Sequence, residues 1–277
     1  MTSRRISIGN QTSFTAPTAT FPFEYAIAHG FDAFEWFPDT TPEGYGFAEE
    51  KLDAARRRDI RNLALAHDIR LSVHAPWWID VSSEESVEQL DSSITFAANV
   101  GAKLINIHIS HEATLEDHVS AVVLLLKRLH PTGVMLSIEN TVQSSPDDFN
   151  MLFSLLKERA GRAFTNVGVC LDIGHANLCA ATRNDYLGFL DRLAPTIPLI
   201  HAHVHENWGD RDSHLTLFTG PSAQNSAGVE GFIQRLLTRS YEGALILEQW
   251  PDPPELLDNA RERLLAILSE QETDNAE

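Results

Sequence analysis

Histidines and carboxylates are the side chains of this 277-residue sequence that point to chemistry, and they recur at the ends of short apolar runs. His74 closes RLSVH and precedes Ala-Pro, and His108 lies in LINIHI. Glu139 closes VMLSIE just before Asn140, and Asp172 closes VGVCLD with His175 three residues on. LIHAHVH carries His201, His203 and His205 at alternate positions, hence on one face of a strand. Asp212 and His214 follow, and Glu248 closes ALILE. These are the residue types that ligate divalent cations and that move protons. Singly, each has a bland reading: a hydrogen-bonded structural histidine, a helix N-cap at Asp172, a solvated loop at Asp212 and His214. Jointly they do not, because a buried carboxylate with neither cation nor partner is costly and a metal removes that cost. Glu139, Asp172, His203 and Glu248 form an oxygen-rich set suited to one Mn²⁺, Co²⁺ or Mg²⁺. Adding His74, His108, His175, Asp212 and His214 supplies four imidazoles, which suit two or three Zn²⁺ ions or leave side chains to hold substrate.

Such side chains need a scaffold that brings many strand ends together. Eight short apolar runs read as strands: Arg5–Gly9, Ala33–Phe37, Arg70–His74, Leu104–Ile109, Val134–Glu139, Val167–Asp172, Leu199–His205 and Ala244–Glu248. Helical spacing fills Phe47–His67, Glu84–Val100, Leu115–Leu129, Pro146–Ala160, Asp185–Leu193, Val229–Arg239 and Pro254–Leu268. Ser145 followed by Pro146 marks a helix start. Gly30, Gly101, Gly161 and Gly243 stand where a left-handed residue is expected to end a helix. Strict alternation implies right-handed βαβ units and a parallel sheet. Eight units predict an α/β fold, a single (β/α)8 TIM barrel over residues 1–269, with a polar tail at 270–277. An open doubly wound sheet is disfavoured by the lack of a Gly-rich phosphate loop after the first strand. In a parallel barrel, function collects at the C-terminal strand ends, which is where the histidines and carboxylates stand.

A formal net charge of −18 argues against nucleic-acid binding and against an anionic membrane surface. The two cysteines, Cys170 and Cys179, make no CxxC pair or disulfide framework, and no apolar stretch has the length of a membrane span or the pattern of a secretory signal. A cytoplasmic location is expected. No sequence feature demands an oligomer.

SVHAP, NIHIS, SIENT, CLDIGHAN, HVHEN, DSH and LILEQ together resemble the xylose isomerase-like TIM-barrel superfamily, which includes sugar phosphate isomerases and epimerases and the AP endonuclease family 2 (endonuclease IV). The resemblance covers nearly the whole chain and implies one of two activities. As an isomerase or epimerase of a small sugar or related hydroxycarbonyl compound, the chain would use Glu139, Asp172, His203 and Glu248 as metal ligands. Glu139 and Glu248 would also be the catalytic acid/base pair on opposite faces of the reacting carbon, passing through an enediolate, and His175 would contact substrate. As an endonuclease IV-like zinc-dependent phosphodiesterase or hydrolase, it would use all nine residues for three zinc ions. The acidic charge and the opening segment through FEWF favour the isomerase or epimerase and a small-molecule substrate, a sugar. A non-catalytic metal-binding scaffold is a third reading.

Other residues are candidates with a bland alternative. Trp36, Trp77, Trp78 and Trp208 follow or end strands, where rings stack on sugars or pack as core and lid. His205 shares the face of His203, as substrate contact or as hydrogen-bonder to a ligand. Glu35 is either partner to a ligand or a solvated exception. His201 lies deeper and reads as structural, and Cys170 as packing. Arg183 and Arg211 are the guanidiniums near strand ends six and seven; with no phosphate cradle evident, a non-phosphorylated polyhydroxy substrate is expected.

Overall fold

The computed structural model describes residues 6–38, 40–41 and 43–274. Eight parallel strands close in sequence order into a barrel. They are β1 (Ser7–Gln11), β2 (Ala33–Trp36), β3 (Arg70–His74), β4 (Leu104–His108), β5 (Met135–Glu139), β6 (Val167–Asp172), β7 (Leu199–Val204) and β8 (Ala244–Leu247). The helices between and after them are α1 (Phe21–Ala28), α2 (Ala54–Ala66), α3 (Val87–Val100), α4 (Leu115–Leu129), α5 (Pro146–Arg159), α6 (Ile173–Leu178), α7 (Tyr186–Arg192), α8 (Pro221–Gln224), α9 (Ala227–Thr238) and α10 (Glu255–Asp274). The chain is the (β/α)8 barrel that its alternating pattern predicts. Helix α10 continues past residue 270 into the polar stretch, whose last three residues lie outside those described.

The local signals explain most boundaries. Ser145 accepts from the Asp148 N–H while Asp148 answers the Ser145 N–H, a reciprocal cap that starts α5 at Pro146. Gly30, Gly101 and Gly161 take positive φ, as expected of helix-ending residues. Gly243 does not: Ser240 takes the left-handed conformation after α9, and Gly243 is needed because a Cβ there would lie 2.2 Å from the Ile200 carbonyl oxygen. The long helix expected over 47–67 is broken. Asp53 is extended and caps the Arg56 N–H, so α2 starts at Ala54 and only a short 3-10 turn, Glu49–Lys51, precedes it. The helical stretch expected from Glu84 likewise begins as a 3-10 turn before α3. The first strand lies two residues later than expected, and Arg5 lies outside the described residues. Helix α1 was hidden in FPFEYAIA, which is apolar nearly all round because Pro22, Phe23, Tyr25 and Ala26 are all buried.

Strand parity sorts the molecule into two cores. Outward residues such as Phe34, Trp36, Val73, Ile105, Ile107, Leu136, Ile138, Val169, Leu171, Ala202, Val204, Leu245 and Leu247 pack under the helices in one large apolar core. The barrel interior is different. Its apolar part is a separate small cluster, Ala33, Ala244 and Ile246. Glu35, Ser72, His74, Asn106, Ser137, Glu139, Cys170, Asp172, His201 and His203 alternate with the outward residues and are all buried. An ordinary barrel interior is filled with branched apolar side chains. Here it is a polar column that must be satisfied internally.

Candidate functional site

The column ends at the C-terminal mouth in a cluster of acids and imidazoles. Register places His108, Glu139 and Cys170 side by side across β4, β5 and β6, and Asp172 beside His203 across β6 and β7. The Nδ1 atom of His203 is the hub: Glu139 Oε2 lies 3.2 Å away, Glu248 Oε1 3.5 Å and Asp172 Oδ2 4.0 Å. Three of the four residues expected around one centre thus lie within 4.0 Å of the fourth's nitrogen, and among the described residues no single group of mutually close donors contains all four. Donor atoms of His74, Glu139, His203 and Glu248 all lie within 4.8 Å of one another, as do those of Glu139, Asp172 and His175. A third group, His175, His205, Asp212 and His214, adjoins them under the same limit. Asp212 and His214 are each about one third exposed, and Asp212 pairs with both His175 and His214.

The hydrogen bonds of four histidines follow one pattern. Nδ1 of His74, His108, His175 and His214 donates to a backbone carbonyl: Ala75 at 2.5 Å, Trp77 at 3.2 Å, Asn140 at 2.8 Å and Glu248 at 3.0 Å. Each Nε2 then turns toward a carboxylate. His74 reaches Glu139 at 3.0 Å and His108 reaches it at 3.5 Å, while His175 and His214 both lie 3.2 Å from the same Asp212 oxygen. A ligating histidine is held in this way, its second nitrogen fixed by an outer acceptor. His203 is turned over: its Nε2 donates to Glu35 at 2.7 Å and its Nδ1 faces the cluster.

Whether a cation fits can be judged from the atoms left over. Glu139 Oε1, Glu248 Oε2 and His203 Nδ1 are buried and have no hydrogen-bond partner. Burial holds His74 below the usual histidine range, so it is neutral, and with Nδ1–H on Ala75 its Nε2 lone pair meets the Glu139 carboxylate. Lone pair against carboxylate is repulsive unless something positive lies between them. Every ion pair of Glu139, Asp172, Asp212 and Glu248 among the described residues is to a histidine. The donor set fits divalent metal.

Protonation of the metal-free site reports the same tension. Burial opposes charge on His175 and His203, yet neighbouring groups, Asp172 for His175 and Cys170, Glu139 and Glu248 for His203, raise both well above the usual value. His214 is pushed up to about 10, burial again being outweighed by Asp212 and Glu248. Glu139 lies well below the usual carboxylate range, because His203 and His108 outweigh its burial. Asp172 and Asp212 are lowered too, by His175 with His205 and by His175 with His214, against burial. Burial pushes Glu248 well above that range.

Several neighbours position this set. Asn140 clasps Asp172 in both directions, donating to its carbonyl at 2.9 Å and accepting its N–H at 2.8 Å. Asp172 also caps α6 by accepting from the His175 N–H at 2.7 Å, so its N-cap reading and its place in the cluster both hold. His205 donates to Asp172 at 3.1 Å and stacks on His214, with ring centroids 3.9 Å apart. Gly174 makes this possible, since a Cβ there would lie 2.0 Å from the His205 ring. Asn106, which the sequence reading passed over, donates to Glu139 and accepts from Ser137; its signal was its parity with His108. Glu35 is buried and bonds His201 as well as His203, so it is no solvated exception.

The aromatic and basic candidates separate. Trp36 packs in the outer core against Phe23, Phe34, Phe47 and Phe96. Trp77, Trp78 and Trp208 are exposed on loops after β3 and β7. Trp208 lines a 290 Å³ pocket with His205 and Asn207, beside the cluster and not within it. Arg183 and Arg211 border an open surface pocket that includes Asp212. No helix among the described residues is long and apolar enough to cross a membrane.

Comparison with known proteins agrees with this architecture. A 28% identity over 152 residues links the chain to the protein y4fM of Sinorhizobium fredii (strain NBRC 101917 / NGR234), described as uncharacterized. The match covers 51% of this chain, and the chain spans about half of that relative, 47% of its length. A D-tagatose 3-epimerase-like protein superposes with a TM-score of 0.74 at 20% identity, over 97% of this chain and 99% of the other. Endonuclease IV from Thermus thermophilus superposes with a TM-score of 0.65 at 23% identity, over 95% and 99%. At such identities these two likenesses establish the fold. The family description "Xylose isomerase-like TIM barrel" matches residues 23–267, and the chain belongs to that family.

Proposed function

We propose that the protein is a divalent-metal-dependent isomerase or epimerase of a small sugar or related hydroxycarbonyl compound. The observation that carries this reading is the pair Glu139 and Glu248. They come from β5 and from the end of β8, face one histidine nitrogen at 3.2 and 3.5 Å, and each keeps one buried oxygen with no partner. Two carboxylates so placed can act on one carbon atom, one removing a proton beside a carbonyl and the other returning a proton to the enediolate. Glu139, Asp172, His203 and Glu248 would hold the principal ion. Bound there, a divalent cation supplies Lewis-acid stabilisation of charge that develops on substrate oxygen. Asn106 fixes Glu139, His205 and Asn140 fix Asp172, and the column beneath the site is buried. Trp77 and Trp208, exposed at the mouth, and Arg211 beside Asp212 are available to substrate.

A second reading has its own support. His74, His175, Asp212 and His214 complete overlapping donor groups that could hold two or three Zn²⁺ ions, as a zinc-dependent phosphodiesterase would need; among the described residues His108 lies in none of these groups and reaches only the Glu139 carboxylate, at 3.5 Å. Against it stands the net charge of −18, which repels a polyanionic duplex. Elemental analysis of gently purified protein, with transfer of solvent deuterium into ketoses as the activity assay, tests both. Deuterium wash-in that is lost on chelation supports the isomerase or epimerase. Three zinc ions per chain, no wash-in and cleavage of abasic duplex DNA would reverse the assignment. A cytoplasmic location is part of this proposal and is checked by cell fractionation.

A further inference from the structure

We infer that Glu35 and His201, deep in the barrel, are positioning residues that set which nitrogen His203 offers to the metal. This rests on the metal-dependent reading above and adds a part that the strand-end residues do not contain. Glu35 sits on β2 and is 0% exposed. It crosses the interior to β7, three strands away in the closed order. Its two oxygens are divided between two imidazoles, Oε1 on His203 Nε2 at 2.7 Å and Oε2 on His201 Nε2 at 2.8 Å. No lysine or arginine among the described residues pairs with it.

The consequence follows from what each group can do. A carboxylate accepts hydrogen bonds and cannot donate, so both Nε2 atoms must carry protons. For His203 this leaves Nδ1 as the atom that can give up its proton and offer a lone pair to a cation, and Nδ1 is the buried, unpartnered atom at the hub of the cluster. The other histidines reach the same end through backbone carbonyls and present Nε2. His203 has no carbonyl in that place, and a carboxylate does the same task with a full negative charge. Glu35 also makes Nδ1 a stronger ligand, and a cation on Nδ1 takes over from the imidazole proton in balancing the buried anion. His201 fills the second oxygen of Glu35, so the carboxylate cannot turn away. An alternative use of the same atoms is a separate metal site at Cys170, His201 and His203, whose donor atoms lie within 4.8 Å of one another. That site would place the ion on the Cys170 sulfur, which distinguishes it from the carboxylate cluster.

The full-length chain tests this with Zn²⁺ alone as probe. Competition titration is expected to show Glu35→Gln binding one equivalent about 10–100-fold more weakly than wild type. A glutamine amide can accept from only one of the two histidines, whereas Glu35→Asp keeps a carboxylate and is expected to recover part of the affinity. Nitrogen-15 histidine NMR of the zinc-loaded wild type is expected to show His203 with a proton on Nε2 and the metal on Nδ1. A proton on Nδ1, or unchanged zinc affinity in Glu35→Gln, would overturn the inference. So would an intense sulfur-to-cobalt charge-transfer band in Co²⁺-loaded protein, which places the ion on Cys170. If wild type binds Zn²⁺ tightly but shows no isomerase activity, the proposed function fails and the role of Glu35 stands. If wild type binds no divalent ion, both fall.

Discussion

Ile138 and Glu139 are neighbours on β5, both fully buried, and they belong to different proteins in all but covalent linkage. Ile138 faces outward into the apolar layer beneath the helices. Glu139 faces inward and is surrounded by His74, Asn106, His108, His175 and His203. The outer layer is held by apolar burial, which is non-directional and tolerant of exchange. The inner column depends on specific donors, acceptors and charges, where one missing partner strands another. Stability and chemistry are thus assigned to opposite faces of the same strands.

The sharpest way to break this comparison is to substitute both neighbours. Glu139→Gln is expected to lower turnover by about 10²–10⁴-fold, the range for loss of a positioned acid or base. Its melting temperature should move little, because the amide keeps the volume and can still bond Asn106. Ile138→Ala should do the reverse, costing about 2–5 kcal/mol of stability while the folded fraction keeps its activity. Turnover assays with thermal melts on both variants decide it. A Glu139→Gln enzyme of full activity would dissolve the division of labour.

Next in size is removal of the metal, with its pH dependence. Metal-free, His175, His203 and His214 hold protons that a cation must displace, His214 up to about pH 10. Metal affinity is therefore expected to rise with pH, about tenfold per unit for each displaced proton. The metal-free protein has the opposite sign. Raised histidine pKa values contribute stability that is fully present below the unfolded value of about 6.5 and is lost as pH rises through the folded values, toward about 10 for His214. Zinc titrations and melts of chelated protein between pH 6 and about 9 check both signs. Affinity that is flat across this range would mean that the ligands carry no protons to displace.

These two faces were unequally legible in the sequence. The outer face was plain, because alternation of apolar residues and Gly-marked helix ends needs only local rules. The strand ends were legible too, since His74, Glu139, Asp172 and Glu248 each follow an apolar run. The positioning network was legible only as one of two alternatives at Glu35 and His205, and not at all at Asn106. Glu35 lies among phenylalanines and a tryptophan in FEWF, and its partners stand more than 160 residues away. Asn106 is an ordinary residue between two isoleucines until register sets it beside Ser137. The helix α1 was obscured for a different reason: burial on most sides erases the amphipathic period. Gly243 misled because a glycine before a strand serves left-handed turns and close approaches equally well, and only the Ile200 carbonyl decides between them.

Two glycines sharpen the comparison at lower cost. Gly174→Ala would drive a methyl into the His205 ring, 2.0 Å from the new Cβ, and displace the partner of Asp172. Weaker metal binding with modest loss of stability is expected. Gly243→Ala meets the Ile200 carbonyl at 2.2 Å, at the other end of the barrel. It should lower the melting temperature and leave metal affinity alone. Equal effects on affinity would show that the mouth feels strain anywhere in the barrel.

The smallest effect concerns a side chain that belongs to neither face. Trp77 is 64% exposed, and its backbone carbonyl, not its ring, holds His108. Trp77→Ala keeps that carbonyl and removes only the ring. If the ring stacks on a sugar, its loss removes about 0.5–1.5 kcal/mol of binding, a few-fold to about tenfold in KM, with kcat unchanged. Trp208→Ala is the counterpart, because that ring lines the pocket beside His205, on the other side of the cluster's rim. A KM effect at Trp77 alone would place substrate against the loop after β3; an effect at Trp208 alone would move it toward α6 and α8. A fall in kcat at Trp77 would mean that its loop holds His108 through more than one carbonyl, and that the mouth is braced from outside as well as from within.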